Sequence, residues 1–98
     1  MKAEGLISRR LTIAEGVFTE VVLWRVPAPL RGSTHSYKYR LALVADGICV
    51  LRYDNEAGKG DHKHVGDRQV PYRFSGVDQL LADFSMDVRR WLDENGRV

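Results

Sequence analysis

The residues best suited to chemistry lie in one short segment, Lys59-Gly60-Asp61-His62-Lys63-His64. A histidine side chain ordinarily titrates near neutral pH, so two of them can act as a general base and a general acid. Cleavage of an RNA phosphodiester needs both, because a base must take the 2′-hydroxyl proton and an acid must protonate the leaving oxygen. We therefore predict that His62 and His64 are catalytic, with Asp61 holding a histidine in the required tautomer.

The same reaction needs cations that bind phosphate and stabilise the charge that develops on it. Lys and Arg outnumber Asp and Glu between positions 31 and 73, whereas acidic residues are in excess from position 74 onward. His35, the remaining histidine, also falls in the basic part of the chain. The predicted substrate-binding residues are Lys38, Arg40, Arg52, Lys59, Lys63 and His35.

Two other interpretations of the histidines stay open. In an extended strand His62 and His64 project to the same side, so they could supply two metal ligands, with His35 or Asp61 as a third. The chain contains no cysteine pair and no His-Glu-x-x-His motif to strengthen that hypothesis. The histidines could also belong to a solvated basic loop and bond only to the backbone. Our prediction is a site without a cofactor or a resident metal.

Length and composition indicate one folded domain spanning residues 1–98. The 98 residues are 44% hydrophobic and 29% charged, which is typical of a globular protein. The net charge of +2 is too small to indicate nucleic-acid binding by itself. No apolar stretch approaches the about 20 residues that span a bilayer, and the chain has a single cysteine, so we predict a cytoplasmic protein. Cys49 lies in an apolar run, which predicts a buried thiol.

The elements that must position these residues begin with two predicted β-hairpins. Strands near 3–13 and 17–26 flank Ala14-Glu15-Gly16, and the second of them is rich in β-branched and aromatic residues. Strands near 37–45 and 48–54 flank Asp46-Gly47, a pair that tolerates the left-handed backbone of a tight hairpin. The segment from Asn55 to Tyr72 has three glycines and few large apolar residues, which predicts a long functional loop.

The last segment has a different period. Apolar residues from Val77 to Leu92 recur every three or four positions, which predicts an amphipathic helix near 76–94 with Ser75 as its N-cap. Phe84 and Trp91 are expected to pack in the core. The predicted fold is therefore α+β: an antiparallel four-stranded sheet made of two β-hairpins, followed by one C-terminal amphipathic helix.

Several segments together resemble a known family. The string WRVPAPLRGSTHSYKYRLALV, then YDNEAGKGDHKH, then PYRF and a C-terminal helix are similar to the TumE family of bacterial toxins. Nearly the whole chain takes part in the resemblance. It implies a growth-inhibiting toxin of a type II toxin–antitoxin system, paired with an antitoxin protein encoded by the neighbouring gene.

The target does not follow from the resemblance, so the chemistry depends on the residues. We predict a ribonuclease that acts on RNA, an endoribonuclease if the protein is an enzyme at all. The alternatives are a non-enzymatic inhibitor or binding module with a basic surface, and a metal-binding protein. RNA is the expected second partner and a membrane is not, while a homodimer is compatible with the sequence.

Overall fold

Six strands and one helix make up residues 2–97, the part of the chain described by a computed structural model. The strands are β1 (Glu4–Ala14), β2 (Val17–Arg25), β3 (Tyr37–Ala45), β4 (Ile48–Glu56), β5 (Gly60–Val65) and β6 (Arg68–Pro71), and the helix is α1 (Val77–Glu94). Each strand pairs antiparallel with the next, so the sheet order equals the chain order and β1 and β6 form the edges. The α+β class is confirmed.

The prediction of a four-stranded sheet is wrong, because the segment from Asn55 to Tyr72 is not a long loop. It forms β5 and β6, which extend the second predicted hairpin into a continuous six-stranded sheet. The alternation that marks a half-buried strand is missing from β5, since its side chains are polar on both sides. His62 and His64 lie on one side of that strand, while Lys63 on the other side is held by a carboxylate of α1.

Both predicted hairpin turns are present. Glu15 and Gly16 connect β1 to β2, and Asp46 and Gly47 connect β3 to β4. Asp46 has φ 52° and Gly47 has φ 80°, the pair of positive values that a tight hairpin turn of this kind requires. This turn pairs Ala45 with Ile48. A β-bulge between Leu43 and Val44 then shifts the register by one residue, so that Arg40 pairs with Asp54.

Helix α1 packs on one face of the sheet and closes the core. Its buried residues Leu80, Phe84, Val88 and Leu92 recur every four positions and so share one side of the helix, as the sequence pattern predicts. Phe84 is 4% exposed and meets the Tyr53 ring edge-on at 5.7 Å between centroids. Trp91 is only partly buried, at the margin of this core.

Two local predictions are corrected. Gly76, with φ 127°, is the residue that caps α1, and within residues 2–97 no side chain, Ser75 included, bonds to the first turn. Cys49 is exposed, not buried, because it pairs with Val44 on the face of the sheet that α1 does not cover. No helix within residues 2–97 combines the length and the apolar character needed to cross a membrane.

The register divides the sheet into two faces. Side chains directly opposite each other in an antiparallel pair share a face, so the register gives rows of neighbours across the strands. One row contains Val21, Leu41, Tyr53 and Lys63, and it lies on the helix-covered face, because Tyr53 and Lys63 contact Asp87 of α1. The adjacent row contains Val22, Arg40, Asp54 and His62, and it lies on the other side, here called the open face.

Candidate functional site

The register brings both predicted catalytic histidines to the open face. His62 pairs with Asp54, and His64 pairs with Arg52. Arg40 pairs with Asp54 from the other side, so a cation, a carboxylate and an imidazole occupy one row. Neighbouring strands lie about 4.8 Å apart, which puts the backbone of Arg40 about 10 Å from that of His62.

Direct contacts join His64, Arg52 and Asp54. Arg52 Nη2 lies 3.1 Å from His64 Nε2, and His64 Nε2 lies 3.7 Å from Asp54 Oδ1. Arg52 Nε lies 3.1 Å from Asp54 Oδ2, although its N–H is not aligned for a hydrogen bond. Because a guanidinium only donates, His64 Nε2 is the acceptor, which places the ring proton of neutral His64 on Nδ1. The Nε2 lone pair of the imidazole is thus occupied by the Arg52 guanidinium.

A groove borders these residues on the open face. It has a volume of about 400 Å³ and is lined by Val22, Trp24, Lys38, Tyr39, Arg40, Arg52, Asp54 and Glu56. Trp24 is 42% exposed, so its indole is available to stack on a planar group. Lys38 and Arg40 extend from alternate positions of β3, with Lys38 Nζ donating to the Asn55 carbonyl oxygen at 2.6 Å. The groove therefore combines an aromatic surface with cations.

Cations slightly outnumber acids on the open face of β1 to β4 within the described residues. Arg10, Lys38, Arg40 and Arg52 lie on it, against Glu20, Asp54 and Glu56. The pair of Arg40 with Glu20 is long, 3.7 Å, and nearly half of each side chain is exposed. Such an exposed pair contributes little free energy, so a phosphate could displace Glu20 from the Arg40 guanidinium with little loss of stability.

The other predicted site residues lie elsewhere. Lys59 occupies the exposed turn between β4 and β5, 3.5 Å from Glu56. Lys63 faces α1 and donates to Asp87 at 2.9 Å, with its ammonium 5.6 Å from the centre of the Tyr53 ring. Neither lysine lines the groove of the open face.

His35 and Asp61 form a separate cluster on the helix-covered side. His35 Nε2 lies 2.9 Å from Asp61 Oδ2, and the same oxygen accepts a hydrogen bond from Tyr39 OH at 2.6 Å. His35 Nδ1 accepts the Tyr37 backbone N–H at 3.2 Å, and the ring stacks on Phe74 at 3.9 Å. Both ring nitrogens of His35 are therefore used within the fold. Asp61 is engaged by this cluster and not by His62 or His64.

Three tyrosines donate hydrogen bonds to carboxylates around the core. Tyr39 bonds to Asp61, Tyr53 to Asp87 at 2.5 Å and Tyr72 to Asp83 at 2.6 Å. Burial, and then the hydrogen bond to the carboxylate, raises the pKa of each tyrosine well above its ordinary value. These phenols are protonated donors at neutral pH. Tyr39 joins β3 to β5, Tyr53 joins β4 to α1, and Tyr72 joins the segment after β6 to α1.

Asn55 explains how β3 and β4 stay in register at this end of the sheet. Asn55 is 1% exposed, and its side chain accepts the Tyr39 N–H at 3.0 Å and donates to the Tyr37 carbonyl at 2.7 Å. The amide therefore replaces a pair of backbone ladder bonds where the strand pairing ends. This fixes the strand from which Asp54 projects.

Two residues of the open-face arrangement were not among the predicted site residues. Asp54 is the carboxylate next to His64, and Trp24 is the exposed aromatic of the groove. The spacing of Arg52 and Asp54, two positions apart in a predicted strand, is a signal that could have placed Asp54 beside the cation. The contact of Asp54 with His64 depends on β5, a segment that the sequence pattern predicts to be a loop.

The described residues include no group of three or more His, Cys, Asp or Glu side chains arranged to hold a metal ion. The predicted sets built from His62, His64 and His35 or Asp61 divide between the two faces. The metal hypothesis therefore gains no support from the arrangement of donors.

Comparison with known proteins identifies the family. The family model described as Toxin TumE matches residues 3–92, which is most of the chain and includes the sheet and nearly all of α1. Searches among curated proteins and among solved structures gave no significant match. The matched span contains both faces of the sheet, and the chain belongs to the TumE toxin family.

Proposed function

We propose that this chain is the toxin of a type II toxin–antitoxin pair and cleaves RNA on its open face, in the cytoplasm. The proposal is supported above all by the contact of His64 with Arg52 and Asp54, next to His62 in the same pair of strands. An imidazole beside a cation and a carboxylate, next to a groove lined by Lys38, Arg40 and Arg52, suits the cleavage of a phosphodiester.

The reaction would use the 2′-hydroxyl of the substrate as its nucleophile. Arg52 turns from His64 Nε2 to the phosphate, and the freed Nε2 lone pair takes the hydroxyl proton. The 2′-oxygen then forms a bond to phosphorus as the bond to the 5′-oxygen breaks. Protonated His62 gives its proton to that leaving oxygen. The products are a 2′,3′-cyclic phosphate and a free 5′-hydroxyl, and the two histidines have exchanged protonation states.

The cations and the carboxylate have separate roles in this proposal. Arg52 and Arg40 bind the phosphate and stabilise charge on its non-bridging oxygens, and Lys38 contacts a neighbouring phosphate. Asp54 stabilises His64 when it becomes positively charged, and it replaces Asp61 as the carboxylate beside a catalytic histidine. Trp24 stacks on a base, which would be worth about 1–3 kcal/mol of binding.

The experiment is expression of the toxin in bacterial cells, followed by measurement of growth and of RNA integrity on a gel. We expect His62→Ala and His64→Ala each to lower cleavage by about 10²–10⁴-fold, the contribution usual for a general acid or base. Gln69→Ala is the matched control, because Gln69 pairs with His64 on the same face and cannot carry out proton transfer at neutral pH. It should leave cleavage unchanged.

The outcomes separate an enzyme from a binding module. Loss of arrest and of RNA cleavage in the histidine variants, with unchanged melting temperatures, supports the proposal. Full growth arrest by the His62→Ala/His64→Ala double variant would contradict it and favour inhibition by occupancy, which should instead depend on several surface cations at once.

A further inference from the structure

The helix-covered side of the sheet is only partly covered. A helix with its side chains is about 10 Å wide and strands lie about 4.8 Å apart, so one helix covers about two strands of a sheet. Helix α1 packs toward β4, and β1 and β2 extend beyond it. Their side chains on this side form what is here called the β1–β2 shelf, namely Ile7, Arg9, Leu11, Ile13, Thr19 and Val21.

An apolar groove lies where the shelf meets α1. Its volume is about 610 Å³, larger than that of the groove on the open face. Leu81, Val88 and Leu92 form its helix wall. On the shelf, Leu11 is 48% exposed and Ile13 is 37% exposed. Large aliphatic side chains are thus left in water along a concave surface.

The dimensions of this groove fit a second helix. The shelf is two strands wide, and β1 has 11 residues, which corresponds to about 37 Å of extended chain. A helix lying on it parallel to the strands would complete the layer that α1 begins. It would need apolar residues at spacings of three and four positions to contact both Leu11 and Val88.

The charged residues at the margins of the groove indicate which residues should flank the apolar stripe of such a helix. Arg9 projects from the shelf and Arg89 from α1, so a basic side chain lies on each margin of the groove, with Asp93 as the acid at the helix margin. None of the ion pairs found in residues 2–97 includes Arg9 or Arg89. Carboxylates on both flanks of the apolar stripe would be complementary to these two guanidinium groups.

A second copy of this chain fits the groove poorly. The outward side of α1 consists of polar and charged residues, with Met86 as its one exposed large apolar side chain within the described residues. It therefore offers no apolar stripe. Pairing of two β1 edges near their centres would bring Arg9 and Arg10 of one copy close to those of the other, and like charges at such positions are destabilising.

We infer that the groove between the β1–β2 shelf and α1 is the docking site for an amphipathic helix of the antitoxin, with an apolar stripe flanked by acidic residues. The inference rests on the proposed pairing of this toxin with an antitoxin. It places the partner on the face opposite His62 and His64, so the antitoxin does not contact the proposed catalytic residues directly.

The test measures binding of the purified toxin to the purified product of the neighbouring antitoxin gene, by titration calorimetry. Leu11→Glu puts a charge into the apolar groove, and Arg9→Glu reverses a charge at its margin. Each should weaken binding by at least about tenfold, because a buried carboxylate without a partner and a repulsive pair both oppose docking. Leu11→Ala is the milder variant and should weaken binding by a smaller factor.

Two matched control variants make the same kinds of substitution at positions outside the groove. Arg10→Glu changes the net charge by the same amount on the neighbouring residue, but Arg10 lies on the open face. Ile48→Glu replaces an apolar residue that is 65% exposed and does not line the groove. Both should bind within about twofold of the parent, since exposed charges away from an interface contribute little. Melting temperatures verify that every variant is folded.

Three results would overturn the inference. Parent-like binding by Arg9→Glu, Leu11→Glu and Leu11→Ala would show that the antitoxin docks elsewhere while leaving the pairing intact. A toxin dimer that Leu11→Glu converts to monomers would show that a second copy fills the groove. Failure of the parent toxin to bind the neighbouring gene product would remove the pairing itself. Binding is measured without RNA, so a failure of the proposed nuclease activity does not affect the outcome.

Discussion

The Asp61→Ala variant tests whether the Asp61 carboxylate stabilises the fold or takes part in catalysis. Asp61 lies next to His62 in the sequence, yet its Oδ2 accepts a hydrogen bond from Tyr39 and lies 2.9 Å from His35 Nε2. Its side chain is 11% exposed, that of His35 is 12% exposed, and Tyr39 is 1% exposed. Removing the carboxylate therefore leaves two donors without their acceptor in a place that water reaches poorly.

The size of the effect follows from these two bonds. A hydrogen bond to a charged group contributes about 1.5–3 kcal/mol, so two set an upper range of about 3–6 kcal/mol. Partial access of water to His35 reduces the loss, and we expect Asp61→Ala to lower the free energy of unfolding by about 3 kcal/mol. For a domain of this size that corresponds to a decrease in melting temperature of about 12–24 °C.

The assay is thermal and urea unfolding followed by circular dichroism, with RNA cleavage measured below the melting temperature. Tyr39→Phe removes one of the two bonds and should cost about 1.5 kcal/mol, and the double variant should cost less than the sum. Glu56→Ala is the carboxylate control, since its exposed pair with Lys59 is worth at most about 1 kcal/mol. An Asp61→Ala protein that melts like the parent but cleaves no RNA would refute the structural role of Asp61 and support a catalytic one.

Two further predictions concern the core and the response to alkali. Phe84→Ala should lower the free energy of unfolding by about 3–5 kcal/mol, as expected for a buried aromatic ring, whereas Met86→Ala, at a position 62% exposed on the same helix, should change it by less than about 0.5 kcal/mol. Equal denaturation midpoints for the two variants would show that α1 does not pack as described. Because burial and the Asp61 carboxylate raise the pKa of Tyr39 above its ordinary value of 10.0, the unfolded chain loses the phenol proton first. The stability that Tyr39 contributes is therefore complete below about pH 10 and declines as the pH rises further, and Tyr39→Phe should make that decline less steep in urea titrations at pH 9 to 11. An identical slope in the variant would contradict the raised pKa.

Local signals in the sequence were sufficient for much of the fold. The pair Asp46-Gly47 specifies a tight turn because both residues adopt positive φ, and the flanking alternation then specifies the strands. The recurrence of apolar residues from Val77 to Leu92 specifies a helix that buries one side, because 3.6 residues make one turn. Each of these inferences needs only residues that are close together in the chain.

The number of strands could not be obtained in that way. Strand β5 satisfies its polar side chains through residues that are distant in sequence, such as Asp87 for Lys63 and Tyr39 for Asp61. Without those partners the segment from Gly60 to Val65 has the composition of a loop. The number of strands in the sheet therefore depended on contacts that only the folded chain makes.

Histidines, an acid and several cations are close together in the amino-acid sequence, so their presence in one stretch needs no fold to establish it. Which of them share a surface depends on how the strands pair. Successive side chains of a strand point to opposite faces, so Asp61 and His62 are separated by the thickness of the sheet although they are adjacent in the chain. Asp54, eight positions before His62, shares a face with it because antiparallel pairing puts the two directly opposite each other.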